Sequence, residues 1–177
     1  MSQRGFRIIP LICIVALCPR VYASELTART YLSASIAGVV EVVEWPSETV
    51  GFPGPLIPGQ VSESDPIIIK VRSNTKWNLT LSTDNEKAVL SAYDTVARKY
   101  ITNGDYINDT LQFRVNGLEW QELKGTPQVI AQNMPNTGEA GLETRIRFRV
   151  QPSFDDSLLG GTQEYRIGLQ FTVSPSY

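Results

Sequence analysis

The chain has 177 residues, with 16 Lys and Arg against 18 Asp and Glu for a net charge of −2, two cysteines and no histidine. The lack of imidazole removes the commonest general base and a principal metal ligand, and an acidic balance is a poor match for phosphate backbones, which need clustered Lys and Arg. Both cysteines, Cys13 and Cys18, lie near the N-terminus, so the remainder has neither a thiol nucleophile nor a disulfide.

The opening residues, with Arg4 and Arg7 before an apolar run from Ile8 to Leu17 and then Pro19 and Val21-Tyr22-Ala23, read as the three regions of a secretory signal peptide. Cleavage is expected after Ala23, leaving residues 24–177 as one domain; losing Arg4, Arg7 and Arg20 takes the net charge from −2 to −5. The apolar run is shorter than the roughly twenty residues a bilayer requires, so no transmembrane segment is expected in the mature chain. The predicted location is secreted, periplasmic or at the cell surface. A domain of about 150 residues buries roughly two thirds of its unfolded surface, so a core without disulfides is reasonable.

The mature chain begins with a long alternating ribbon, "LTARTYLSASIAGVVEVVEW", residues 26 to 45. Leu26, Ala28, Leu32, Ala34, Ile36, Val40 and Val42 fall on one side of an extended chain, with Thr30 and Gly38 between them. Burying only its large side chains before Val42, at about 1.5 to 3 kcal/mol each, is worth on the order of 10 kcal/mol, comparable to a whole domain's stability. Two covers are open. Either Gly38 marks a bulge or bend and the ribbon makes two strands of its own domain, or residues from about 24 to 36 leave the domain and complete a neighbour's sheet. Leu26, Ala28, Leu32, Ala34 and Ile36 are then the candidates for strand exchange.

Residues 46–66, with five prolines and three glycines, predict a long surface loop with room for an edge segment near Leu56 to Val61. Period-two alternation follows in Ile67, Ile69 and Val71 and in Trp77, Leu79 and Leu81, on either side of Ser73-Asn74-Thr75-Lys76, which predicts a hairpin with Trp77 in the core. It returns in Leu111, Phe113 and Val115, in Ile146, Phe148 and Val150, and in Tyr165, Ile167, Leu169, Phe171 and Val173. Val89, Tyr93, Val96 and Tyr100 instead fall at helical spacing, so one short helix is expected at about 85–100, starting at Asp84 and stopping at Asn103-Gly104. The fold class is all-β, an antiparallel immunoglobulin-like β-sandwich carrying that helix.

No arrangement of residues points to catalysis, and the chain is read as not an enzyme. Ser73-Asn74-Thr75-Lys76 matches the S-x-x-K of β-lactamases, but in a turn and without the companion motifs. Glu119 with Glu122 and Asp155 with Asp156 are sequence neighbours, unsuited to flanking a glycosidic bond. Asn103, Asp105, Asn108 and Asp109 offer oxygens to calcium without the spacing of a known calcium loop, and an Asn-Gly turn accounts for them; no metal or other cofactor is expected. Arg145, Arg147 and Arg149 share one face of a strand whose other face is Ile146, Phe148 and Val150. That row could grip an acidic partner or sulfated glycan, or face acids on a neighbouring strand, such as Glu164. Trp120, the least certain of the three tryptophans, joins the arginines as a candidate ligand contact.

An alternating N-terminal segment after a signal peptide, followed by a sandwich ending in "GTQEYRIGLQFTVSPSY", resembles the subunits of chaperone–usher fimbriae and related surface pili. The resemblance covers most of the mature chain as a pattern; it lacks the disulfide many such pilins carry, and their penultimate aromatic appears as the last residue, Tyr177. It implies a secreted structural or adhesive subunit whose partners are other protein subunits, copies of itself or pilus components. Trp77-Asn78-Leu79 is similar to the first Trp-x-Leu motif of Gram-positive cell-wall-binding domains, with Phe171-Thr172-Val173 where the second would stand, and implies instead a glycan- or wall-binding module. Nucleic acid is not an expected partner under either reading.

Overall fold

A computed structural model describes residues 33–47, 49–102 and 104–176. The expected leader, and the ribbon as far as Leu32, lie outside these. The chain divides into Met1–Ser35 and Ile36–Tyr177, and the fold described is that of the second unit.

Its strands run in chain order: β1 (Val40–Glu44), β2 (Ser62–Glu63), β3 (Ile67–Ser73), β4 (Trp77–Thr83), β5 (Ser91–Asp94), β6 (Lys99–Tyr100), β7 (Gln112–Val115), β8 (Gln121–Glu122), β9 (Gln128–Met134), β10 (Leu142–Val150), β11 (Gln163–Arg166) and β12 (Leu169–Pro175). They form antiparallel sheets of order β1-β3-β10-β7-β8, with β2 also on β10; β12-β4-β9; and β11-β5-β6. This is an all-β sandwich. No helix occurs among the described residues, and none is long and apolar enough to cross a membrane.

Alternation explains the core directly. Ile67, Ile69 and Val71 of β3, Trp77, Leu79 and Leu81 of β4, Phe113 and Val115 of β7, and Ile146, Phe148 and Val150 of β10 are all buried while their neighbours in sequence face outward. Phe113 and Phe148 sit opposite each other across β7 and β10 with ring centroids 6.5 Å apart. Trp77 is fully buried, and its indole N–H donates to the Pro135 carbonyl at 3.1 Å.

The β3–β4 turn is held by side chains that stand in for backbone. Ser73 Oγ donates to the carbonyls of Val39 and Thr75, and Asn74 accepts from the Val39 N–H at 2.7 Å while donating to the Ala37 carbonyl at 2.9 Å. The hydroxyl and amide of the S-x-x-K match are thereby committed to holding the incoming chain. The ribbon forms only one strand in the described region, and its irregularity falls between Val42 and Glu44, not at Gly38.

The helix expected at about 85–100 is absent. Residues 91–100 form a short hairpin, β5 and β6, because Asp94 Oδ1 accepts the N–H groups of Val96 and Ala97 at 2.9 and 2.8 Å and Arg98 adopts a φ of 52°, closing a turn where a helix would have run on. Tyr93 and Tyr100 face one another across the hairpin with centroids 5.3 Å apart, whereas on a helix a separation of seven would only have put them on one face, about 10 Å apart.

The expected last strand is also two. The chain breaks at Gly168, so Tyr165 belongs to β11 on β5, and Leu169, Phe171 and Val173 belong to β12 on β4. Asp84 holds the break: its Oδ1 accepts the Gly168 N–H at 2.8 Å, its own N–H donates to the Gly168 carbonyl at 3.1 Å, and its Oδ2 accepts the Tyr100 hydroxyl at 2.8 Å. A Cβ at position 168 would run into the Asp84 carboxyl, so the close approach requires glycine. Burial and the bond to Asp84 raise the Tyr100 pKa above its ordinary value.

Thr144 departs from the apolar interior. It is fully buried on β10 beside the core positions, and its hydroxyl has no hydrogen-bond partner. An unsatisfied buried hydroxyl costs about 1 to 3 kcal/mol, so Thr144→Val should raise stability by about 1 kcal/mol. Urea denaturation checks this: the midpoint should rise with an unchanged slope.

Candidate functional site

Two features of the sandwich carry chemistry beyond folding. The first is a cleft of about 820 Å³ at the side where β12 ends its sheet. Its walls include Ile167, Leu169 and Phe171 from the β11–β12 segment, Ile67 and Phe148 from the opposite sheet, and Leu111. The Pro- and Gly-rich loop covers it. Val50, Phe52 and Leu56 pack partly against the core, so this loop is more than a solvated connection, and its edge segment is β2 at Ser62–Glu63, later than the stretch near Leu56 to Val61.

The rim is built by Asp156. Its carboxylate accepts the Asn108 N–H at 2.9 Å, the Asn108 side-chain amide at 2.7 Å and the Ser153 N–H at 2.7 Å, and Tyr165 donates to the Ser157 carbonyl at 2.8 Å. Partial burial opposes the charge on Asp156, but the two N–H groups outweigh it and hold the carboxyl below its ordinary value. Asp109 accepts the Gln151 N–H at 2.9 Å. Of the residues that suggested calcium, Asn108 and Asp109 fasten loops and Asn103 lies outside the described residues, and no group of three or more acidic side chains converges among the described residues.

The second feature is the outer face of β10. Arg145, Arg147 and Arg149 point away from the core, as the alternation predicts. Their acidic neighbour is not Glu164, which sits on β11 opposite Tyr93 in another sheet. Arg145 bonds Glu143 on its own strand at 2.6 Å, and Arg149 bonds Gln112 at 2.7 Å. Arg114 of β7 reaches Glu63 of β2 at 3.0 Å. The guanidinium groups of Arg114 and Arg149 both lie over the Trp120 ring, each 4.5 Å from its centroid. Trp120 therefore turns its π electrons on the chain's own cations. The contribution of Arg114 was missed in the sequence, since only strand register reveals that it faces Arg147.

Of the strand-exchange candidates, Leu26, Ala28 and Leu32 lie outside the described residues. Ala34 and Ile36 are both exposed and outside any strand, Ile36 at 89%. Val39 before β1, Val43 within it and Trp45 after it are exposed as well.

Comparison with protein-family models finds no match, and comparison with curated proteins finds none either.

Because the folded Asp156 carboxyl is held below its ordinary value of 3.8, it adds stability above that pH, lost as pH falls through the lower folded value. Asp156→Asn should therefore lower stability near neutral pH and flatten the acid limb below about pH 4. Thermal midpoints of both proteins between pH 2.5 and 7 provide the check.

Proposed function

We propose that this protein is a secreted, non-enzymatic surface subunit, fimbria-like in kind, that assembles by accepting a β-strand from a neighbouring copy or partner subunit along the open edge of β12. The observation that carries the reading is the juxtaposition of that edge with the apolar cleft: β12 ends its sheet among the described residues, and its inward residues Leu169 and Phe171 line the cavity beside it.

Strand order supports it further. In an immunoglobulin-like sandwich one sheet runs A-B-E-D and the other places C beside F and F beside G. The order β1-β3-β10-β7 corresponds to the first, and β4 with β12 to C with F. The position of G, next to β12, has no occupant among the described residues. A strand entering there would satisfy the free N–H and C=O groups of β12 and lower alternate side chains into the cleft.

The segment 24–36 has the required period of two, with Leu26, Ala28, Leu32, Ala34 and Ile36 on one side. Each large side chain buried this way contributes about 1.5 to 3 kcal/mol, so a few suffice for stable association. Ile36–Tyr177 forms a compact unit of its own, as a subunit that lends its N-terminal segment elsewhere would need. Non-enzymatic character rests on the missing histidine and on the confinement of both cysteines to the first 18 residues.

A variant lacking residues 24–36 should be a folded monomer under conditions in which residues 24–177 polymerise, as followed by light scattering. A synthetic peptide of residues 24–36 should bind that monomer one to one and stabilise it, by about 2.7 kcal/mol at a hundredfold excess over its Kd. A full mature chain that stays monomeric at all concentrations, with a peptide that neither binds nor stabilises, would overturn the reading.

A further inference from the structure

We propose that Arg114, Arg145 and Arg147 form a binding site for an acidic sugar, in which the guanidinium groups take the sulfate or carboxylate of one saccharide unit. The inference is independent of strand exchange, since it concerns the outer face of the sheet and not its open edge.

The first observation is a juxtaposition of like charges. Register places Arg147 directly opposite Arg114 on the neighbouring strand. Like charges in that position destabilise a sheet. Of the four arginines here, Arg114 is paired with Glu63, Arg145 with Glu143, and Arg149 is held by Gln112 and the Trp120 ring. Arg147 forms no ion pair among the described residues. Glu122 stands opposite Gln112 on β8, on the side of Arg149, and neither Asp65, next to Pro66, nor Glu119, beyond Gly117, forms an ion pair with Arg147. A guanidinium set opposite another, with no ion pair among the described residues, is suited to an anion from outside.

The second observation is shape. Arg114, Arg145 and Arg147 line a concavity of about 380 Å³ with Pro66, Asn116 and Gly117. Asn116 and Gly117, with φ of 50° and 78°, make the two-residue turn after β7, closed by the Leu118 N–H on the Val115 carbonyl at 2.9 Å. Asn116 then accepts the Arg145 N–H at 2.8 Å and donates its own N–H to the Arg145 carbonyl at 2.7 Å, fixing the turn to β10. The site therefore rests on paired backbone.

The lining selects the carrier of the anion. It has no large apolar side chain to anchor a hydrophobic peptide residue or an acyl chain, and its volume exceeds that of a lone oxyanion. Guanidinium forks, with the Asn116 amide beside them, suit a polar ring bearing one charged group and several hydroxyls. The net charge of −2 disfavours a nucleic acid, whose binding depends on a broad positive field.

The test is titration of the full mature protein, at constant ionic strength, with N-acetylglucosamine 6-sulfate, glucuronate, N-acetylglucosamine and sodium sulfate, followed by calorimetry and by Arg Nε–Hε NMR shifts. The acidic sugars should bind and move the Arg147 signal, free sulfate should bind at least fivefold more weakly, and the neutral sugar should not bind. Arg147→Gln should weaken binding about tenfold while leaving the thermal midpoint unchanged or raised, because it removes the repulsion with Arg114. Arg72→Gln should leave binding unchanged, since Arg72 lies on the same sheet but does not line this concavity. Equal binding of free sulfate and sulfated sugar, equal binding of the neutral sugar, preference for duplex DNA or an acidic peptide, or full affinity in Arg147→Gln would overturn the proposal.

Discussion

Strand β10 is the constraint on which the rest of the molecule depends. It is paired with β3 on one side and β7 on the other, so its register decides which residues enter the core. A slip of one residue would exchange Ile146, Phe148 and Val150 for Arg145, Arg147 and Arg149. Burying unpaired guanidinium groups costs several kcal/mol each, and exposing three large apolar side chains forfeits the core contacts as well. One alternation thereby secures both the interior of the sandwich and the charged character of its outer face. The unsatisfied Thr144 hydroxyl, one step further along the same inward row, is tolerated because no shift of register could relieve it without losing the others.

The two faces of the sandwich are unequal in a second sense. The sheet containing β10 is bordered by short strands and loops, whereas the sheet β12-β4-β9 ends on a seven-residue strand. An open edge of that length is ordinarily blunted by charge, proline or a covering segment. Here the only proline in β12 is Pro175 at its far end, and its first half adjoins an apolar cleft roofed by Val50, Phe52 and Leu56. The roof lies on a loop rich in proline and glycine, which has few backbone bonds to lose if it shifts.

Much of this was legible in the residues, and the failures have specific causes. β3, β4 and β10 could be read because one face is buried and the other solvated, the condition under which period two is clean. β9 could not: it pairs with β4 through two irregularities, exposes Val129 and carries Asn133 at a φ of 50°, so no alternation survives. The hairpin at 91–100 mimics a helix in sequence because a separation of seven puts Tyr93 and Tyr100 on one face in either geometry, and the deciding feature, Asp94 bonding two N–H groups beyond it, is a matter of turn geometry. Gly168 ended a strand that the apolar pattern carried straight through. The arginine row was visible, but its opposition to Arg114 and the seating of Trp120 depend on which strands become neighbours. The cleft belongs to no segment, being made where several separate parts of the chain meet.

The grip of Asn74 on residues 37 to 39 has a mechanical corollary. A side-chain amide that both donates to and accepts from the passing backbone acts as a mooring, fixing where residues 37 to 39 cross the β3–β4 turn. Thirteen residues, 24 to 36, paid out from there in extended form span at most about 45 Å, roughly the breadth of a small domain. If residues 24–36 are the exchanged strand proposed above, the pitch from one subunit to the next would be set by where Ser73 and Asn74 take hold.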